Sequence, residues 1–153
     1  MSADQDAHPW SIRSTLIAVA DLNRSVAFYE ELGPFAEIAR DDAVALLGVV
    51  SPQSVVLILR ETRSTHHIRH GQQSLGLRSL TFNVGSQAEL DRVESVLRNR
   101  DLLTSRQQMS EGAADLVYGR DPDNLPLIFM HYMSDLGPDY FQAILRMVYS
   151  LDS

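Results

Sequence analysis

The stretch Val19-Ala20-Asp21-Leu22-Asn23-Arg24-Ser25-Val26-Ala27-Phe28-Tyr29 joins two kinds of periodicity within eleven residues. It closes a short run, Ser14 to Val19, that is rich in β-branched residues and reads as a strand buried on at least one face. Asp21 follows as an N-cap, because its carboxylate can accept from the orphan N–H groups of a first helical turn. Leu22, Ser25, Val26 and Tyr29 then recur at helical spacing. Gly33-Pro34 should stop the helix, since Gly adopts a left-handed cap and Pro cannot continue.

Three more strands are predicted after it, over 35–40, 43–49 and 54–60. Asp41-Asp42 and Ser51-Pro52 form the turns between them. The first half therefore reads β-α-β-β-β. The pattern restarts at Ser79 to Val84, where polar and apolar residues alternate. Ser86 with Glu89 forms a capping box, Leu90, Val93, Val96 and Leu97 supply a helix face, and strands are predicted over 102–107, 115–119 and 125–132. Ser14 falls on Ser79, Ile17 on Phe82, Val19 on Val84 and the cap Asp21 on the cap Ser86, a spacing of 65 residues. This duplication is the informative feature. One unit has too little sheet and helix to cover both faces of itself, and two can curl around a shared cleft. The organisation expected is α+β: an arm over 1–11, module one over 12–61, a linker over 62–76, module two over 77–132 and a C-terminal helical extension over 133–153. In that extension Phe141, Ile144, Leu145, Val148 and Leu151 lie at helical spacing.

Composition narrows the function classes. The chain has 153 residues, 44% hydrophobic and 22% charged, which suits a globular protein. It has no Cys, so disulfides, thiolate metal sites and Cys nucleophiles are excluded. A net charge of -7, with no basic face, argues against nucleic acid as a partner. No apolar run reaches membrane-spanning length and the first residues are polar and acidic, so a cytoplasmic protein without a membrane partner is expected.

The Val19–Tyr29 run resembles the opening of vicinal-oxygen-chelate domains (the glyoxalase, bleomycin-resistance and extradiol-dioxygenase superfamily), a strand followed by Asp-Leu-x-x-Ser and then Phe-Tyr. Val117-Tyr118-Gly119-Arg120-Asp121-Pro122-Asp123 resembles that superfamily's closing motif, an aromatic strand followed by Asp-Pro-Asp-Gly-Asn. The resemblance covers residues 12 to 132. It implies two βαβββ modules forming a U-shaped mixed sheet with a concave cleft inside and helices outside. It also implies, for metal-dependent members, four cleft side chains holding a divalent ion that stabilises an enediolate or a peroxo species. Ser14 and Ser79 stand where the first-strand histidines belong, Ile128 where a last-strand Glu belongs, and Leu57 or Leu59 at the matching place in module one. Ser is a poor ligand beside imidazole or carboxylate, and Ile and Leu are none. No metal and no cofactor are expected. Asn124-Leu125-Pro126 replaces the usual Gly-Asn ending. Asn preserves the left-handed bend, and Pro126, which cannot donate to a ladder, predicts an edge or an irregular strand.

Alternation along strands turns Ser14, Leu16, Ala18, Ser79, Thr81 and Asn83 toward the cleft, joined by Ile128 and Met130. This face is apolar with a few neutral hydrogen-bonders, the make-up of a small-molecule pocket, and the plainer alternative is a sheet face closed as core. Tyr118 and Arg120, near the cleft mouth, either hold a carboxylate or enolate or are an edge Tyr and a solvated Arg. His66, His67 and His70 read as a solvated linker, His131 as a packed or rim histidine, and the charges from Glu89 to Arg100 as a solvated helix face. The main expectation is a protein that binds a small apolar or aromatic molecule, assembled as a homodimer. A metal-independent lyase, isomerase or cyclase is the competing reading. It lacks a cleft Asp, Glu or His. A third is a metal enzyme with relocated ligands drawn from Glu61 and the linker histidines. An interaction module working through the C-terminal helix is a fourth.

Overall fold

A computed structural model describes residues 12–50, 53–62, 77, 79–108 and 115–131. The arm, the Ser51-Pro52 turn, His66, His67, His70 and the C-terminal extension lie outside them. The chain divides after Thr62 into two units, with Glu31–Gly33 clustering in the second.

The first unit carries β1 (Thr15–Val19), α1 (Leu22–Leu32), β2 (Ala36–Arg40), β3 (Val44–Val50) and β4 (Gln53–Glu61), with sheet order β1-β4-β3-β2. β1 runs parallel to β4, and the other pairs are antiparallel. Ile17, Val19, Ala45, Leu47, Leu57 and Leu59 form one buried face of this sheet. Leu22, Val26, Phe28, Tyr29 and Leu32 are the buried stripe of α1, with the Tyr29 ring edge-on to Phe28 and Phe35. Asp21 caps α1 as its position predicts: its Oδ1 accepts from Arg24 N at 3.0 Å. A second acceptor comes from the far end of the sheet, where Glu61 Oε2 accepts from Leu22 N at 3.1 Å. Two of the orphan donors of that turn are thus satisfied by acids 40 positions apart in the numbering. The Asp41 turn is closed by its own side chain, which accepts from Ala43 N and Val44 N. Those two bonds hold the Asp41 carboxyl below its ordinary range.

The second unit repeats the order with β5 (Leu80–Asn83), α2 (Gln87–Asn99), β6 (Leu103–Gln108), β7 (Asp115–Arg120) and β8 (Pro126–Met130), and sheet order β5-β8-β7-β6. β5 is parallel to β8, just as β1 is to β4. Phe82 and Phe129 stack across that pair with ring centroids 5.4 Å apart. Leu90, Val93 and Leu97 are the buried face of α2. Leu97 sits so close to Gly119 that a Cβ there would lie 2.7 Å from its Cδ1 and 2.9 Å from the Leu102 carbonyl. Ser86 caps α2, its Oγ accepting from Glu89 N at 3.1 Å. The Glu89 carboxylate engages Arg92, so only one half of the predicted capping box is made here. The helix ends in a left-handed residue, Asp101 (φ 57), with Leu102 N donating to Leu97 O and Asp101 N to Arg98 O.

Two expectations are corrected. Pro126 does not mark an edge: β8 lies between β5 and β7, and Pro126 is its first residue, a position where no ladder donor is lost from within the strand. The charged face of α2 is not simply solvated, because Asp91 and Glu94 both bind Arg106 on β6. The architecture is α+β, two four-stranded mixed sheets each built from a βαβββ module. Among the described residues no helix is long and apolar enough to cross a membrane.

Candidate functional site

Residues paired across strands point to the same side of a sheet, so the ladders decide which side chains meet. In the second unit Thr81 pairs with Ile128, and Ile128 with Tyr118. The next row is Asn83, Met130 and Leu116. Ser105 and Gln107 extend the two rows onto β6. This is the face opposite Phe82, Phe129 and Gly119, and therefore opposite α2. It is not uniformly open. Thr81 and Asn83 on the outer strand are exposed and Ser79, just before it, is half-buried. Ile128 is fully buried, Met130 is 3% exposed and Tyr118 8%. The face grades from exposed neutral hydrogen-bonders to a closed apolar floor.

In the first unit Leu16 pairs with Ile58 and Ile58 with Leu46, while Ala18 pairs with Arg60 and Arg60 with Val44. Ser14 is exposed just before β1, Leu16 is 57% exposed, and Ala18 and Arg60 are exposed. This face is the reverse of the one holding Ile17 and Leu59.

The registers settle which residue of module one matches Ile128. Phe82 pairs with Phe129 and Ile17 with Leu59, so Ile58 is the counterpart of Ile128. Leu57 and Leu59, expected from the sequence, both lie on the buried face. The spacing between modules is 65 residues at the first strands and 70 at the last, because the segments between them differ in length. Counting along the chain could not find Ile58; the ladder does. Arg60 and Leu46 were missed for the same reason.

The turn after β7 holds β8 in this register. Asp121 is buried, and its Oδ1 accepts from Asp123 N and Leu125 N, both at 2.9 Å. Asn124 takes φ 72, the left-handed conformation that its side chain tolerates. Arg120 donates to the Asn124 carbonyl at 3.2 Å, which ties its guanidinium to the turn. His131 is half-buried with Nδ1 3.0 Å from the Val84 carbonyl, and Glu61 is occupied at the start of α1.

A protein site for a transition-metal ion is built chiefly from imidazole and carboxylate, with neutral oxygens only as supplements. Among the described residues the side chains sharing these faces are Ser, Thr, Asn, Gln, Tyr, Arg, Met and hydrocarbon. They do not fit such an ion, and among the described residues no group of three or more His, Asp or Glu converges elsewhere.

No family model matches the chain and no curated protein does. Solved structures match closely in shape. A glyoxylase/bleomycin resistance protein/dioxygenase domain from Frankia sp. EAN1pec superposes with a TM-score of 0.67 at 24% identity, over 80% of this chain and 98% of that one. The fosfomycin resistance protein FosX from Listeria monocytogenes gives 0.65 at 14% identity, over 86% and 98%. A lactoylglutathione lyase from Agrobacterium tumefaciens gives 0.58 at 18%, over 80% and 94%. The duplicated βαβββ topology and these likenesses agree: the chain has the vicinal-oxygen-chelate fold.

Proposed function

We propose that the chain binds a small apolar or aromatic molecule, without a metal ion, on the sheet faces that point away from the buried helix-side cores. The observation that supports this reading is the pairing of Thr81 with Ile128 and of Leu16 with Ile58: neither first-to-last-strand pair carries an imidazole or a carboxylate. The proposed lining is Ser14 and Leu16 on the first sheet and, on the second, Ser79, Thr81, Asn83, Tyr118, Ile128 and Met130. Thr81, Asn83 and the Tyr118 phenol supply orientation, and Leu16, Ile128 and Met130 supply apolar contact. The protein acts as a cytoplasmic homodimer in this reading, and metal-dependent glyoxalase or dioxygenase chemistry is not assigned to it. Binding of antibiotics and metabolites to purified protein, measured by calorimetry with elemental analysis of the same sample, tests it. A ligand bound at micromolar affinity and weakened by Thr81→Ala and Asn83→Ala supports the proposal. Stoichiometric zinc, nickel, iron or manganese, or no binding anywhere in the panel, overturns it.

A further inference from the structure

β4 is an interior strand, bounded by β1 and β3, and its exposed face carries Ile58 and Arg60. The neighbours of Arg60 across the ladder are Ala18 and Val44, and one row away lie Leu16, Ile58 and Leu46. An ionised side chain thus stands near the end of an interior strand, with hydrocarbon in its own row and in the row before it. Among the described residues no hydrogen bond or ion pair engages its guanidinium. The adjoining acid, Glu61, points to the other face and is bound to Leu22 N. The fold does not demand a charge here, because the matching position of module two is Met130, 3% exposed. Arg120, on the corresponding face of the second sheet, is by contrast tied to the Asn124 carbonyl.

A guanidinium has a planar fork of donors that matches an oxyanion, and its stem can lie along hydrocarbon while the head stays available. We propose that Arg60 binds the anionic group of the ligand, a carboxylate, sulfonate or phosphonate, so that the molecule taken up is an apolar or aromatic acid. Leu16, Ala18 and Ile58 receive its hydrocarbon part. This rests on the small-molecule reading above and adds the charge of the ligand to it.

Two fluorescent probes that differ by one sulfonate separate the ideas: 1-anilinonaphthalene-8-sulfonate and neutral N-phenyl-1-naphthylamine, titrated into the full chain. The variant Arg60→Met borrows the residue used at the matching place in module two, and Arg60→Lys keeps the charge without the fork. Loss of a charge-assisted hydrogen bond should weaken the sulfonate about tenfold in Arg60→Met, with Arg60→Lys between the two and the neutral probe within about twofold throughout. Unchanged sulfonate affinity in Arg60→Met, or equal weakening of both probes, overturns the assignment of Arg60. If the neutral probe fails to bind the parent chain, the apolar-site reading fails instead, and a sulfonate affinity that depends on Arg60 would still stand. The melting temperature of each variant must match the parent; if that of Arg60→Met falls, Arg60→Gln replaces it in the same comparison.

Discussion

Arg106 on β6 places Nη1 2.6 Å from Glu94 Oε2 on α2. The same nitrogen is 2.6 Å from Asp91 Oδ1, and Nη2 is 2.8 Å from Asp115 Oδ2 on β7. One guanidinium therefore ties a helix to two strands. Its side chain is 24% exposed and that of Glu94 16%, so the pair is only partly screened by water. Removing the cation would leave three carboxylates facing one another. Arg106→Met should destabilise the protein by about 2 kcal/mol, between the values for exposed and for buried pairs. Urea unfolding read by circular dichroism checks this, and a loss within the error of the method would reduce the network to a surface ornament.

The same cluster sets an acid limit. Arg106 holds the Glu94 carboxyl below its ordinary value of 4.5, by a hydrogen bond that outweighs partial burial, with Arg98 adding to the effect. The guanidinium itself is shifted upward and stays charged throughout. A carboxyl depressed in the folded state contributes stability that is present above its unfolded value and is lost as pH falls through the folded one. The urea midpoint should therefore decline below about pH 4.5 from this source, and Arg106→Met should decline less steeply. Parallel pH profiles for parent and variant would contradict it.

Asp101 closes α2 in the left-handed region at φ 57, where a Cβ crowds the following carbonyl. Glycine avoids that crowding, though its freer unfolded chain offsets part of the gain. Asp101→Gly should raise stability by about 0.5–1 kcal/mol, seen as a melting temperature a few degrees higher. A lower melting temperature would mean that the Asp101 side chain itself contributes to the cap.

Ile128 lies at 0% exposure on the face opposite α2. A carboxylate introduced there would have to be desolvated. Ile128→Glu should cost more than about 3 kcal/mol at neutral pH. Burial raises the folded pKa of such a group, so the deficit should shrink as pH falls and the side chain becomes neutral. Denaturant titrations at pH 5 and pH 8 compare the two. A stable variant that gains stoichiometric zinc would instead show that the position opens readily to an ion.

Much of the fold was legible in the chain because its cues are local. Asp21 and Ser86 cap where capping chemistry requires, and Gly33-Pro34 follows the last residue of α1. Alternation also sorted Thr81, Asn83, Ile128 and Met130 onto one side of a sheet, since a strand has no other period. What was not legible depended on register. The pairing of Leu16 with Ile58 belongs to the ladder between β1 and β4, and segments of unequal length in the two modules hide it from a count along the chain. The capping role of Glu61 joins residues 39 apart, and the interior position of β8 is a property of strand order that a proline alone cannot reveal.

In both modules the strand synthesised first has a single ladder partner among the described strands, and that partner is the one synthesised last. While a ribosome is still making β2 and β3, Thr15–Val19 has nothing to zip onto, and the first turn of α1 still lacks the acid from Glu61. Each half must then mature in a single closing event, when its final strand slides in beside the opening one. A chain interrupted before Gln53 would leave the backbone of Thr15–Val19 without any of its ladder partners, an open edge for holding chaperones and proteases.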